Sequence, residues 1–392
     1  MAAISDVLIV GAGVFGLTAA IELNRRGYDV RVIDPGPVPH PLAASTDISK
    51  VVRMEYGKDR QYMEMVEHAI LGWRQWNATF GATLYHETGV TMLTREEMRP
   101  GGFEYESFQA LVERGHAPER LVPEAIERRF PAWSGAYVDG FFHSVGGYAE
   151  SGRVIETLAR HAATLGVDIT EGASVSRLVE SSGGVIGAET GTGEFVAAGH
   201  TVVAAGAWTS LLAPEVRPMM KVTGHPVFHL RPDQPSFFAP PLFATFTADV
   251  ARTGWYGFPV HPSEGVVKVG NHGVGLRLHP DEPRIVGEDD EVRLRQFLEE
   301  TFPALADAPI VYRRLCLYSD TLDEHFILDH HPAKPGLSIA SGGSGHGFKF
   351  APILGPLIAD MVERKANAWL EKFRWRSLAA DKGGEEAARY HG

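Results

Sequence analysis

The sequence predicts an α/β chain in which a nucleotide-binding domain with a parallel sheet is interrupted by an antiparallel sheet with helices. Three observations carry that expectation. An apolar run, Val7-Leu8-Ile9-Val10, leads directly into Gly11-Ala12-Gly13-Val14-Phe15-Gly16 and then into a helical pattern. A second apolar stretch ends on an acid, Asp34. Two later regions, 86–144 and 218–315, change texture to Pro, aromatics and short alternating runs, as in Gly254-Trp255-Tyr256-Gly257-Phe258-Pro259-Val260.

Each element follows from its residues. Val7 to Val10 suits a strand buried on both faces. Leu17, Ala20, Ile21 and Leu23 have helical spacing up to Arg26, and Gly27 stops that helix. Val30, Val32 and Ile33 form the second strand. In the turn, Gly11 permits the tight bend, Gly13 lets backbone approach a pyrophosphate, and Gly16 allows close helix–strand packing. The N-terminus of the helix that follows faces the phosphates with its unpaired N–H groups, and Val14 and Phe15 of the turn are expected to contact the cofactor. Asp34 is set to accept hydrogen bonds from a ribose diol. An acid there disfavours a 2′-phosphate and leaves NAD and FAD both open. The unit is Rossmann-like.

Further on, Val154 to Leu165 reads as a helix, Val167-Asp168-Ile169 as a strand, and the stretch around Val175 as another. Thr201 to Trp208 reads as a β-rich run whose small residues, Ala205 and Gly206, let backbone and Trp208 pack against a nucleotide. A strand at Leu337-Ser338-Ile339-Ala340 precedes the glycine-rich Ser341 to Phe350, where Gly345 and Gly347 admit a planar ligand. That segment lacks the spacing and the Lys-Ser/Thr ending of a P-loop. A last helix is expected over Ile353 to Lys372. The polar tail 379–392 is expected to be mobile. The division that results assigns 1–85, 145–217 and 316–378 to the nucleotide domain, and 86–144 with 218–315 to the substrate domain.

Composition excludes several classes. Among 392 residues, 37 basic against 49 acidic side chains leave a formal charge of −12, which argues against nucleic-acid or anionic-membrane partners. The one cysteine, Cys316, can form neither an internal disulfide nor a thiol-based metal site. No apolar run approaches the roughly 20 residues that span a bilayer. The expectation is a cytoplasmic enzyme, monomeric or a small homo-oligomer. His330 and His331 precede Pro332 and have no second ligand pair at useful spacing, so no metal is expected.

The motifs taken together resemble the monomeric sarcosine oxidase family, FAD-dependent amine oxidases of the D-amino-acid-oxidase-like group. The matching residues are Gly11 to Gly16, Ala205-Gly206-Ala207-Trp208, Tyr256-Gly257-Phe258-Pro259, Lys268-Val269-Gly270-Asn271-His272, Cys316-Leu317-Tyr318, Thr321 to Phe326, and Ser344 to Phe350, in the family's order. The resemblance implies FAD, attached covalently through Cys316. It implies that Lys268 activates oxygen by stabilising negative charge, and that Arg53 and Lys349 hold a substrate carboxylate. Tyr256, His272 and Tyr318 match pocket-lining positions. The implied reaction oxidises an N-substituted amino acid to an imine that water hydrolyses, with O₂ reduced to H₂O₂.

One stretch departs from the sarcosine pattern. Where those enzymes carry His-Gly-Asp-Thr-Arg, this chain reads Thr46-Asp47-Ile48-Ser49-Lys50. It is more similar there to the Asp-Leu-Asn-Lys of fructosyl amino acid oxidases, the deglycating branch. That branch usually has an acid where this chain has His272. In either branch Lys50 lies against the flavin. A fructosyl oxidase therefore stands as an alternative, as does a dehydrogenase using another acceptor, which Lys268 disfavours. A flavin-binding module without catalysis is disfavoured by the lysines, arginine and cysteine at the expected places.

Overall fold

The computed structural model describes residues 4–378 together with Arg389 and Tyr390. Ser5–Val10 lies in the middle of a mainly parallel sheet, between Phe195–Val203 and Val30–Ile33. Leu337–Ser341 extends the sheet beyond the first neighbour and Asp168–Thr170 beyond the second. Leu8, Ile9, Val32 and Val203 are wholly buried, because helices and hairpin cover both faces. The helix Val14–Arg25 starts at the glycine turn, three residues earlier than its apolar spacing suggests.

The glycines of the turn earn their positions by close approach. Gly11 has φ +108°, and a Cβ there would lie 2.6 Å from the Ala204 carbonyl oxygen. At Gly16 a Cβ would lie 1.8 Å from the carbonyl oxygen of Gly11. No side chain fits between helix and strand.

The second sheet has nine strands. Its spine is the antiparallel pair Met220–Leu230 and Ile310–Thr321, whose register sets Cys316 opposite His225 and Tyr318 opposite Thr223. On the other side of Met220–Leu230, Val267–Asn271 sets Lys268 opposite His229. Trp255–Gly257 then pairs Tyr256 with Gly270. Alternation along a strand turns Cys316 and Tyr318 to one face, and Lys268 and Gly270 to one face. A three-stranded sheet, Lys50–Val52, Gly147–Ala149 and Tyr85–His86, lies apart from both. The strand Ile310–Thr321 runs unbroken through position 316, where the nucleotide domain was expected to resume.

Two expectations need correction. The run Thr201 to Trp208 is a strand only to Val203; Gly206 has φ +52° and Gly206–Trp208 is a 3₁₀ turn. The helix expected over Ile353 to Lys372 is Ala351–Val362, followed by a separate 3₁₀ segment, Ala368–Phe373. It ends because Arg364 turns left-handed at φ +56°, Lys365 N–H bonds back to Asp360 O, and Asn367 caps the next turn at Trp369 N–H. Of the tail, residues 379–388, 391 and 392 lie outside the described residues, but Arg389 is only 3% exposed and seated against the body.

The Gly16 contact predicts that Gly16→Ala destabilises the protein by about 1–3 kcal/mol or more, the cost of overpacking. Gly135→Ala, at a position with nothing within 4 Å, stays within about 0.5 kcal/mol. Thermal unfolding of the two variants tests the pair, and equal midpoints would contradict the packing account.

Candidate active site

A cavity of about 570 Å³ opens at the carboxyl ends of the parallel strands. Gly11, Gly13, Val14, Phe15, Asp34, Lys50, Val175, Ala205, Gly206, Trp208, Gly345 and Gly347 all line it. These segments are far apart in sequence, and the sheet order brings them together. Gly16 packs behind the turn instead of lining the cavity. Asp34 is buried, with Oδ2 accepting from Ala12 N–H at 2.8 Å and Oδ1 from Gly36 N–H at 3.1 Å. Burial raises its pKa against those two bonds. Ser45, which the sequence reading passed over, lines the same cavity and accepts from Val14 N–H at 3.1 Å through Oγ.

A second cavity adjoins the first. Lys50, Arg53, Tyr256, His272, Tyr318 and Lys349 line it, and Lys50, Tyr318, Gly345 and Phe348 line both. The shared wall puts the two spaces side by side. Arg53 is buried, with its guanidinium 5.2 Å from the ring centroid of Tyr56 and 5.7 Å from that of Phe103. Lys349 is buried as well, and its Nζ donates to Tyr56 OH at 2.7 Å. Its carbonyl accepts from Trp73 Nε1 at 2.8 Å, which anchors the 3₁₀ turn Gly347–Phe350 that presents it. Two cations thus converge through one tyrosine. Burial pushes the Tyr256 and Tyr318 hydroxyls up, so both remain protonated donors at neutral pH.

Behind the shared wall lies a knot of charge. Lys268 is 1% exposed and lines neither cavity; its Nζ stands 2.7 Å from Asp47 Oδ2 and donates to Ser49 O at 2.5 Å. His229 Nε2 lies 3.2 Å from the other oxygen of Asp47. Burial lowers the Lys268 ammonium to about 8, with Asp47 resisting. Burial raises Asp47, but Lys268, His229, Lys50 and Arg314 outweigh it and hold the carboxyl well below its usual range.

Cys316 is wholly buried, one residue before the wall formed by Leu317 and Tyr318, with Lys50 Nζ 3.9 Å from its sulfur. Burial pushes the thiol up; Lys50 and Arg314 together overcome this and the net shift is downward. His229 and Arg314 carried no motif, and Asp47 entered only as the first letter of the Asp47-Ile48-Ser49-Lys50 stretch, with no role assigned to it. Only the register of the second sheet, with Lys268 opposite His229, brings them into view. Among the described residues no group of His, Cys, Asp or Glu suits a metal, and no helix is long and apolar enough to cross a membrane.

Comparison with known proteins adds a family. Residues 6–361 match the DAO family model, FAD dependent oxidoreductase. The chain is 28% identical over 370 residues to monomeric sarcosine oxidase of Bacillus sp. (strain B-0618), covering 91% of this chain and 92% of that one. It is 28% identical over 378 residues to N-methyl-L-tryptophan oxidase of Salmonella arizonae, covering 94% and 98%. Among solved structures, fructosamine oxidase of Aspergillus fumigatus (Amadoriase II), in complex with FSA, superposes with a TM-score of 0.84 at 26% identity, over 99% of this chain and 94% of that one.

The charge knot predicts a thiol titration. Cys316 is the sole thiol, so its ionisation in cofactor-free protein can be followed by thiolate absorbance. Lys50→Met removes the largest of the lowering charges and shifts the midpoint to higher pH. An unchanged or lower midpoint would show that Lys50 does not govern the thiol.

Proposed function

The chain belongs to the DAO family of FAD-dependent oxidoreductases, and on that premise we propose that it oxidises the C–N bond of an N-substituted amino acid. The product is an imine that water hydrolyses, and dioxygen becomes hydrogen peroxide. The observation that carries this reading is the shared wall: a cavity bearing Arg53 and Lys349 opens beside the dinucleotide-sized cavity across Lys50, Tyr318, Gly345 and Phe348. The residues fit FAD. The cavity reaches from the glycine turn to Phe348, and at Gly11 any Cβ would strike Ala204, leaving backbone to meet a pyrophosphate. When bound, FAD supplies the two-electron chemistry between amine and oxygen.

This chain's residues supply binding, orientation and charge. Arg53 and Lys349 hold the substrate carboxylate through charge-assisted hydrogen bonds, which turns the amine toward the shared wall. Tyr256 and Tyr318 offer protonated hydroxyls, and His272 faces the same space. Lys50 faces both cavities, where its cation balances the negative charge that reduction brings. Lys268 holds positive charge for the oxygen step. Cys316, its thiol pulled down by Lys50 and Arg314, is suited as thiolate to a thioether bond with the cofactor.

A second reading, oxidation of fructosyl amino acids, is favoured by Asp47-Ile48-Ser49-Lys50, since Lys50 lines both cavities. A peroxide assay across sarcosine, other N-methyl amino acids, pipecolate, proline and fructosyl-glycine decides between them. Turnover of none, with oxygen or an artificial acceptor, overturns both.

Three outcomes follow from the roles assigned. Arg53→Gln and Lys349→Met each raise KM for the amino acid on the order of 10²-fold, as expected when one partner of a buried charged contact is lost. Lys268 is cationic below about 8 and neutral above it, so kcat/KM for oxygen falls as pH rises through that value. Asp47→Asn removes the group that resists the lowering and moves the fall to lower pH; an oxygen-electrode profile that does not move contradicts the role of Asp47. On acid precipitation the yellow colour stays with the polypeptide in the wild type and is released in Cys316→Ser. Release from the wild type would leave Cys316 a buried thiol.

A further inference from the structure

Of the two described residues of the tail, Arg389 has its side chain seated deep in the body, and its guanidinium meets three segments. Nε donates to Gly273 O at 3.0 Å, and the next residue, Tyr390, donates its N–H to His272 O at 3.1 Å. Nη2 donates to Asp320 Oδ2 at 2.7 Å and lies 3.2 Å from His225 Nε2. Nη1 stands 3.0 Å from Glu324 Oε1. Asp320 is 0% exposed and Glu324 4%. Two carboxylates this deep would be costly without a cation between them, and a guanidinium fork can serve both at once.

Each of the three contacts leads to a residue that lines the substrate cavity, His272, Tyr318 or His346. The Gly273 loop carries His272. The His225 ring stacks on Tyr318, with centroids 4.0 Å apart and planes 17° from parallel. The Glu324 carbonyl lies 3.0 Å from His346 Nε2, and His346 Nδ1 lies 2.9 Å from Tyr56 OH, which accepts from Lys349 Nζ. Burial, with Arg389 adding to it, holds His225 down at about 3, so the ring meets Tyr318 and Arg389 uncharged.

We propose that Arg389 is a positioning residue for the substrate pocket: by clamping the His272 loop, the His225–Tyr318 stack and the Glu324 turn together, it sets the geometry in which the amine is bound. The inference rests on the proposed amine oxidation. It places no part of the oxygen step on Arg389, because Lys268 is held separately by Asp47 and Ser49.

The test separates the two half-reactions in holoenzyme. Arg389→Ala should raise KM for the amine about tenfold to hundredfold, the range expected when a binding wall shifts by a fraction of an ångström to an ångström. Reoxidation by oxygen of enzyme reduced with dithionite should stay at the wild-type rate, millimolar guanidinium should restore part of the loss, and Arg389→Lys should fall between. Wild-type KM in Arg389→Ala overturns the proposal, and so does a parallel fall of both half-reactions without rescue. If Arg389→Ala does not fold, Arg389→Lys decides by the same two rates. If the wild type oxidises no amine, the proposed function fails by itself. Titration with acetate, followed in the visible spectrum of the bound flavin, then decides the clamp: weaker binding in the variant supports it and equal binding overturns it.

Discussion

A single buried carboxylate, Asp47, joins the two halves of the reactive centre. Its side chain meets Lys268 from the antiparallel sheet and His229 from the neighbouring strand. Its backbone carbonyl accepts from Gly152 N–H and Ser151 Oγ at the start of the helix Ser151–Thr164. Lys50 and Arg314 add two further cations close by. One acid against three cations leaves an excess of positive charge at and behind the shared wall. Burial, with Lys50 adding to it, lowers Lys268 toward neutrality, and the cations Lys50 and Arg314 draw Cys316 toward the thiolate. A buried ion pair of this kind is not evidence of stability in itself, but loss of Asp47 would leave those cations facing one another.

The same excess gives the shared wall its character. Lys50 looks into both cavities, and the chemistry proposed needs charge to move from one to the other. Arg53 and Lys349 then have a separate task on the far side, with their own partners in Tyr56 and Phe103. The arrangement keeps the cations proposed to hold a carboxylate apart from the cation proposed for oxygen. Substrate binding and oxygen reactivity can therefore respond differently to substitution.

Local signals were legible in the sequence and distant ones were not. The glycine turn, its flanking strands and Asp34 follow from steric and hydrogen-bonding needs within a few dozen residues, and Val10, Gly11, Gly13, Val14, Phe15 and Asp34 line the large cavity. Boundaries were less legible. Nothing in Ile353 to Lys372 announces that Arg364 turns left-handed, and the small residues after Val203 form a turn instead of extending the strand. Arg53, Tyr256, His272, Tyr318 and Lys349 were found through a family resemblance, and they share one cavity. Asp47 appeared only as the first letter of the Asp47-Ile48-Ser49-Lys50 stretch, because its importance lies in residues 182 and 221 positions away, His229 and Lys268 (229 − 47 and 268 − 47). Arg389 was hidden for the same reason: its partners lie at 225, 273, 320 and 324, and its surroundings read as a polar tail.

The central claim is that an amine held by Arg53 and Lys349 faces the bound flavin across the shared wall. Anaerobic titration with an N-methyl amino acid tests it most directly, since no oxygen step intervenes. The account predicts that the yellow absorbance bleaches in proportion to amine added, one equivalent for each flavin, and that admitting air restores it. Absorbance that survives saturating amounts of every secondary amino acid and fructosyl amino acid offered would contradict the account.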